Sequence, residues 1–91
     1  MAKLDMRLLA ERVRAVREAH GLSQTALAAR AELNLGNVNE IERRQKRGVR
    51  ADTIVALAAA LQVSADYLLG LADDPAPPRK RPRPRKAVSV G

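Results

Sequence analysis

The chain has 91 residues and a net charge of +7, which allows one small domain. Cysteine is absent, so disulfides and thiolate metal sites are excluded. No apolar run approaches ~20 residues, so no helical membrane span is expected, and residues 1–9 carry no signal-peptide stretch.

The charge is uneven. Residues 1–74 hold 11 Lys/Arg and 10 Asp/Glu, whereas 75–91 hold 6 Lys/Arg, no acid and all 5 prolines. The division expected is a helical domain over 1–74 and a basic, proline-rich tail over 75–91. The tail has too little apolar surface to offset its ordering entropy, so it is expected to be disordered when free. Phe and Trp are missing and Tyr67 is the single aromatic residue, so the core must be aliphatic.

The first helix is predicted over 5–20. Met6, Leu9, Val13 and Val16 recur at helical spacing, and Gly21 stops the run. The second covers 24–30, opened by Ser23 as N-cap. The third covers 35–44, opened by Asn34, with Val38 and Ile41 inward. Leu22 with Leu27, and Leu33 with Val38, have the spacing of hydrophobic staples, which fix the angle at which a chain enters a helix. Residues 43–50 carry 5 positive charges, no acid and Gly48, so they read as a helix end followed by a basic loop. The fourth helix covers 51–61, with Ile54, Leu57, Ala58 and Leu61 at core spacing. The fifth opens at Ser64, with Asp66 on its N-terminal dipole and Val63 and Leu68 as a staple, and closes at Gly70. No strand pattern appears. Together these make a compact all-α domain.

Two short helices around a tight turn, at 22–43, form the frame of a helix-turn-helix, whose second helix enters the DNA major groove. The segments RAVREAHGLSQTALA, NVNEIERR and DTIVALAAALQVSADYLLG, in that order, resemble the Cro/C1-type (XRE) helix-turn-helix family, from about Arg12 to Gly70. The resemblance implies a five-helix, lambda-repressor-like DNA-binding domain that binds double-stranded DNA at a palindromic operator as a homodimer. Family members often carry glycine where this chain has Glu32 and Arg44. A left-handed conformation at Glu32 would cost roughly 1 kcal/mol.

At about 100° per residue the third helix points Gly36, Asn39, Glu40 and Arg43 outward, with Asn37 and Arg44 on its flank. Leu35, Gly36, Asn37, Asn39 and Glu40 are the candidate base contacts. Asn pairs with adenine, Glu accepts from cytosine N4, Leu packs on a thymine methyl, and Gly36 permits close backbone approach. The bland alternative is a solvated polar face. Gln24, at the N-terminus of the second helix, is a candidate phosphate contact, as the resemblance also implies. Arg43, Arg44, Lys46, Arg47 and Arg50 are the other phosphate candidates, because they follow the helix expected to enter the groove. The resemblance implies a structural, partly buried ion pair between Arg17 and Glu42. Tyr67 and Leu71 are the expected dimer contacts, since Leu71 follows the Gly70 stop and has no place in the core pattern.

The tail PPRKRPRPRK invites comparison with an AT-hook, but Arg81-Pro82-Arg83-Pro84 lacks the glycine such a hook needs; non-specific phosphate attraction or plain solubility is the expectation. Catalysis has almost no support: His20 reads as a dipole partner at the end of the first helix, and Ser23 and Ser64 are caps. No enzyme activity, metal or cofactor is expected. The expected protein is cytoplasmic, associated with the nucleoid, and a transcriptional repressor. An antitoxin that binds a toxin protein is the alternative, and a sequence-independent nucleoid-packing protein a third.

Overall fold

The computed structural model describes residues 4–76, which form helices α1 (Met6–Ala19), α2 (Gln24–Ala31), α3 (Leu35–Glu42), α4 (Ala51–Leu61) and α5 (Ala65–Leu69), with no strand among the described residues. Of the tail expected over 75–91, only Pro75 and Ala76 are described; the expectations of disorder, of an AT-hook likeness and of phosphate attraction rest on residues 77–91, which lie outside the described residues.

The helix starts follow the sequence closely. Asp5, Ser23, Asn34 and Ser64 each sit in extended backbone and accept from the first turn of their helix through a side-chain oxygen. That satisfies amides the helix itself leaves unbonded. Arg50 starts α4 without such a bond.

The helix ends share one device. After α2, Leu33 N donates to Ala28 O at 2.8 Å and Glu32 N to Ala29 O at 3.2 Å. The same pair of bonds closes α1 at Gly21 and Leu22, α3 at Arg44 and Gln45, α4 at Gln62 and Val63, and α5 at Gly70 and Leu71. This is the Schellman arrangement, which requires a left-handed residue. Gly21 and Gly70 meet that requirement freely, but Glu32 (φ 58°), Arg44 (φ 60°) and Gln62 (φ 60°) meet it with a side chain. The turn at Arg44 is why α3 ends at Glu42 rather than continuing to residue 44.

The core is a single aliphatic cluster. Leu9, Val13, Leu27, Val38, Ile41, Leu57, Leu61 and Leu68 are fully enclosed, with Ile54 beside them. Met6 and Val16 complete the α1 stripe at its edges, and Val49 from the basic loop also packs onto the cluster. The helix α3 lies against α1 and α2, α4 packs on α1 and α2, and α5 on α1 and α4. Beyond α5 the chain turns back: Ser64 N donates to Pro75 O at 3.2 Å.

Two side chains behave differently from expectation. The His20 ring reaches across to α4, with Nε2 2.9 Å from Leu61 O, so it serves the C-terminus of α4 rather than that of its own helix. The reason is tertiary: α1 packs against α4 and brings the ring over that carbonyl. Arg12, which has no local signature in the sequence, ties α1 to the end of α5. Its Nη1 donates to Tyr67 O at 2.6 Å and Ala72 O at 2.8 Å, and its guanidinium lies 4.0 Å from the Tyr67 ring centroid. Asp73 stands 3.6 Å away.

Candidate nucleic-acid interface

A buried ion pair ties the end of α3 to α1. Arg17 Nε donates to Glu42 Oε2 at 2.7 Å and Arg17 Nη2 to Glu42 Oε1 at 3.0 Å, a two-point contact. The side chains are 12% and 4% exposed. Donating to the Glu42 carboxylate raises the Arg17 pKa, against the lowering effect of burial. A third Arg17 bond runs to Leu22 O at 2.8 Å, at the start of the turn into α2. One guanidinium on α1 therefore fixes both the approach to α2 and the end of α3.

The pair does not stop at Glu42. Gln24 Nε2 donates to Glu42 Oε1 at 3.1 Å, and Asn39 Nδ2 donates to Gln24 Oε1 at 3.1 Å. Gln24 and Asn39 are both half-buried. The candidate phosphate residue of α2 and a candidate base residue of α3 are thus in direct contact, and both are anchored to α1. Sequence position alone gave no sign of this link.

The other candidates lie on α3 and on the segment that follows it. Leu35 is 45% exposed at the first position of α3. Gly36 and Glu40 are exposed and Asn37 half-buried. A Cβ on Gly36 would meet only Asn34 Oδ1, at 3.6 Å, an ordinary contact. The fold therefore gives no reason for glycine there, although it costs helix stability.

The basic segment divides. Lys46 Nζ lies 3.4 Å from Glu40 Oε1 and Arg50 Nε 3.5 Å from Asp52 Oδ1. Arg43, Arg44 and Arg47 are exposed and, among the described residues, have no carboxylate partner. Such exposed cations are free to meet an anion; the two paired ones would exchange a weak surface contact for it.

On α5, which packs on α1 and α4, Leu68 belongs to the core, and just beyond it Leu71 is 72% exposed. Tyr67 is half-buried and already carries Arg12 on its ring. Among the described residues no helix is long and apolar enough to cross a membrane.

Five packed helices with a helix-turn-helix at α2–α3, tied to α1 by the Arg17–Glu42 pair, define a DNA-binding class of domain. A helix-turn-helix family model matches residues 13–68. The chain belongs to the Cro/C1-type helix-turn-helix family of DNA-binding transcriptional regulators. It is 37% identical over 71 residues to an uncharacterised HTH-type transcriptional regulator, YobD, of Bacillus subtilis, an alignment spanning 78% of this chain and 62% of that relative's length. Among solved structures it is similar to the restriction-modification controller protein C.AhdI of Aeromonas hydrophila, with 36% identity, TM-score 0.65, and coverage of 72% of this chain and 98% of that one. It is also similar to the P22 c2 repressor in complex with a synthetic operator, at 32% identity and TM-score 0.65, covering 71% of this chain and 97% of that one.

Proposed function

We propose that the protein is a repressor that binds a palindromic operator as a homodimer, with α3 in the major groove. The observation that carries this reading is the junction of Arg17, Glu42, Gln24 and Asn39, which fixes α3 against the N-terminus of α2 and leaves the opposite face of α3 uncovered. Leu35, Gly36, Asn37, Asn39 and Glu40 read base edges. Gln24 and the arginines at 43, 44, 47 and 50, with Lys46, hold phosphates on either side. The likeness to a repressor solved on its operator supports the same reading.

A two-fold site needs two readers, with half-sites about one helical turn (~34 Å) apart. Leu71, exposed beyond α5, and the outer edge of the Tyr67 ring supply the contact between copies. The protein then works inside the cell by occluding a promoter.

A footprint on the DNA upstream of the protein's own coding region, with a salt titration, tests the reading. Asn37→Ala or Glu40→Ala should weaken operator binding by about 1–3 kcal/mol and spare random DNA. Arg47→Ala should weaken both and lower the salt slope by about one. Equal loss on both DNAs for the α3 variants refutes α3 as the reader. One chain per full operator at saturation, by sedimentation, refutes the homodimer.

A further inference from the structure

We propose that the Glu42 carboxylate sets the direction of an amide relay through Gln24, so that Asn39 meets DNA with its carbonyl oxygen and selects a base bearing an exocyclic amino group. The proposal rests on the reading of α3 as the recognition helix.

The direction follows from the chemistry of the acceptor at the buried end. An ionised carboxylate accepts hydrogen bonds and donates none. Glu42 Oε2 takes Arg17 Nε, and Oε1 takes both Arg17 Nη2 and Gln24 Nε2. The Gln24 amide must therefore turn its NH2 toward Glu42 and its oxygen away. That oxygen is the group 3.1 Å from Asn39. Two oxygens at such a distance repel, so Asn39 must in turn present its NH2 to Gln24. Amide orientation is normally fixed by such networks and by nothing else in the side chain's shape. Here the network starts from a charge that is itself pinned by Arg17, 4% exposed on the carboxylate side.

The outcome appears at the surface. Asn39 Oδ1 has no hydrogen-bond donor among the described residues and is not buried, while Nδ2 is the atom held by Gln24. A free asparagine flips its amide and meets a donor or an acceptor with equal ease. Asn39 cannot flip without breaking its bond to Gln24. In the major groove, adenine N6 and cytosine N4 are donors, while guanine O6 and thymine O4 are acceptors. An outward oxygen fits the first two and opposes the others. Adenine is the fuller match, because its N7 can accept the second N–H of the same amide. Glu42 and Gln24 are then positioning residues for a specificity they do not read themselves.

The test measures binding of the full chain to operator duplexes changed at each base pair in turn, for wild type, Asn39→Ala, Gln24→Met and the double variant. Gln24→Met keeps the Arg17–Glu42 pair and a good helix former at 24, and its melting temperature should stay near wild type. Wild type should prefer the amino-bearing base at one position by roughly 5–100-fold. Asn39→Ala should abolish that preference. Gln24→Met should reduce it at least fivefold at the same position, leave every other position unchanged, and add nothing to Asn39→Ala. Loss of phosphate contact by Gln24 lowers all affinities together and leaves the preference intact, so it does not imitate the effect. If Asn39→Ala abolishes a preference that Gln24→Met preserves, the relay is overturned while α3 remains the reader. If neither Asn39→Ala nor substitution of Leu35, Asn37 or Glu40 changes any base preference, the underlying reading of α3 fails.

Discussion

Removing Glu42 should be among the most damaging single changes in the domain, because its carboxylate is 4% exposed and carries the bonds from Arg17 and Gln24. Glu42→Ala strips Arg17 of the bonds at 2.7 and 3.0 Å and leaves it with Leu22 O and a Glu18 carboxylate 3.9 Å away. Gln24 loses its acceptor as well. Breaking a buried pair by deleting one partner costs about 3–5 kcal/mol, because a charge is left without compensation. The surviving Leu22 bond places this case at the lower end, about 3 kcal/mol. A domain of about 70 residues has a total stability of about 4–10 kcal/mol. Glu42→Ala therefore removes a third or more of it. With a urea slope near 1 kcal/mol per molar, the unfolding midpoint should fall by about 3 M. The melting temperature should drop by roughly 12–24 °C. Urea titration followed by far-UV circular dichroism, at fixed protein concentration, measures this. The double change Arg17→Met with Glu42→Leu should recover most of the loss, because desolvation nearly cancels the attraction within an intact buried pair. A loss below about 1 kcal/mol for Glu42→Ala, or a double variant as unstable as the two single losses added together, refutes the reasoning. The raised Arg17 pKa adds a sign: its charge supports folding at all pH values below its ordinary titration and ceases to do so only as pH rises through the raised value. The Arg17→Ala penalty should thus stay flat from pH 6 to pH 9, to about 0.5 kcal/mol, as far as the guanidinium is concerned.

Gly36→Ala should separate folding from recognition: urea melts should show a gain of about 0.5–1 kcal/mol, because the added Cβ meets no close neighbour, while operator affinity falls if DNA approaches that backbone. Unchanged affinity would show that the glycine serves no contact. Glu32→Gly and Gln62→Gly should each stabilise by about 0.5–1 kcal/mol in the same melts, since glycine keeps the backbone bonds of the left-handed turn without the strain a side chain brings there. Arg12→Ala should free the end of α5: amide exchange at Leu71 and Ala72, which donate to Asp66 O, should quicken markedly as the bonds from Arg12 to Tyr67 O and Ala72 O disappear. Exchange at wild-type rates would assign Arg12 no role there.

The sequence by itself determined the helices and their order. Cap chemistry is local: an oxygen on Asp5, Ser23, Asn34 or Ser64 bonds amides two or three residues on, so its effect is legible without knowing the fold. The core was equally legible, because Leu9, Val13, Leu27, Val38, Ile41 and Leu57 recur at the helical period and the apolar face has nowhere else to go. The Arg17–Glu42 pair came from resemblance, since 25 residues of separation leave no local signature.

Tertiary packing decided what remained. Gln62 ends α4 in left-handed backbone without glycine to announce it, because the two Schellman bonds and the burial of Val63 outweigh the strain. Arg12 bridges 55 and 60 residues of chain to carbonyls that exist as free acceptors only once α5 has ended against α1. His20 finds its carbonyl on α4 for the same reason. The direction of the Asn39 amide depends on α1, α2 and α3 at once. It is fixed by a carboxylate three residues away on its own helix, through a glutamine on another, and only the assembled fold brings those groups within hydrogen-bond reach.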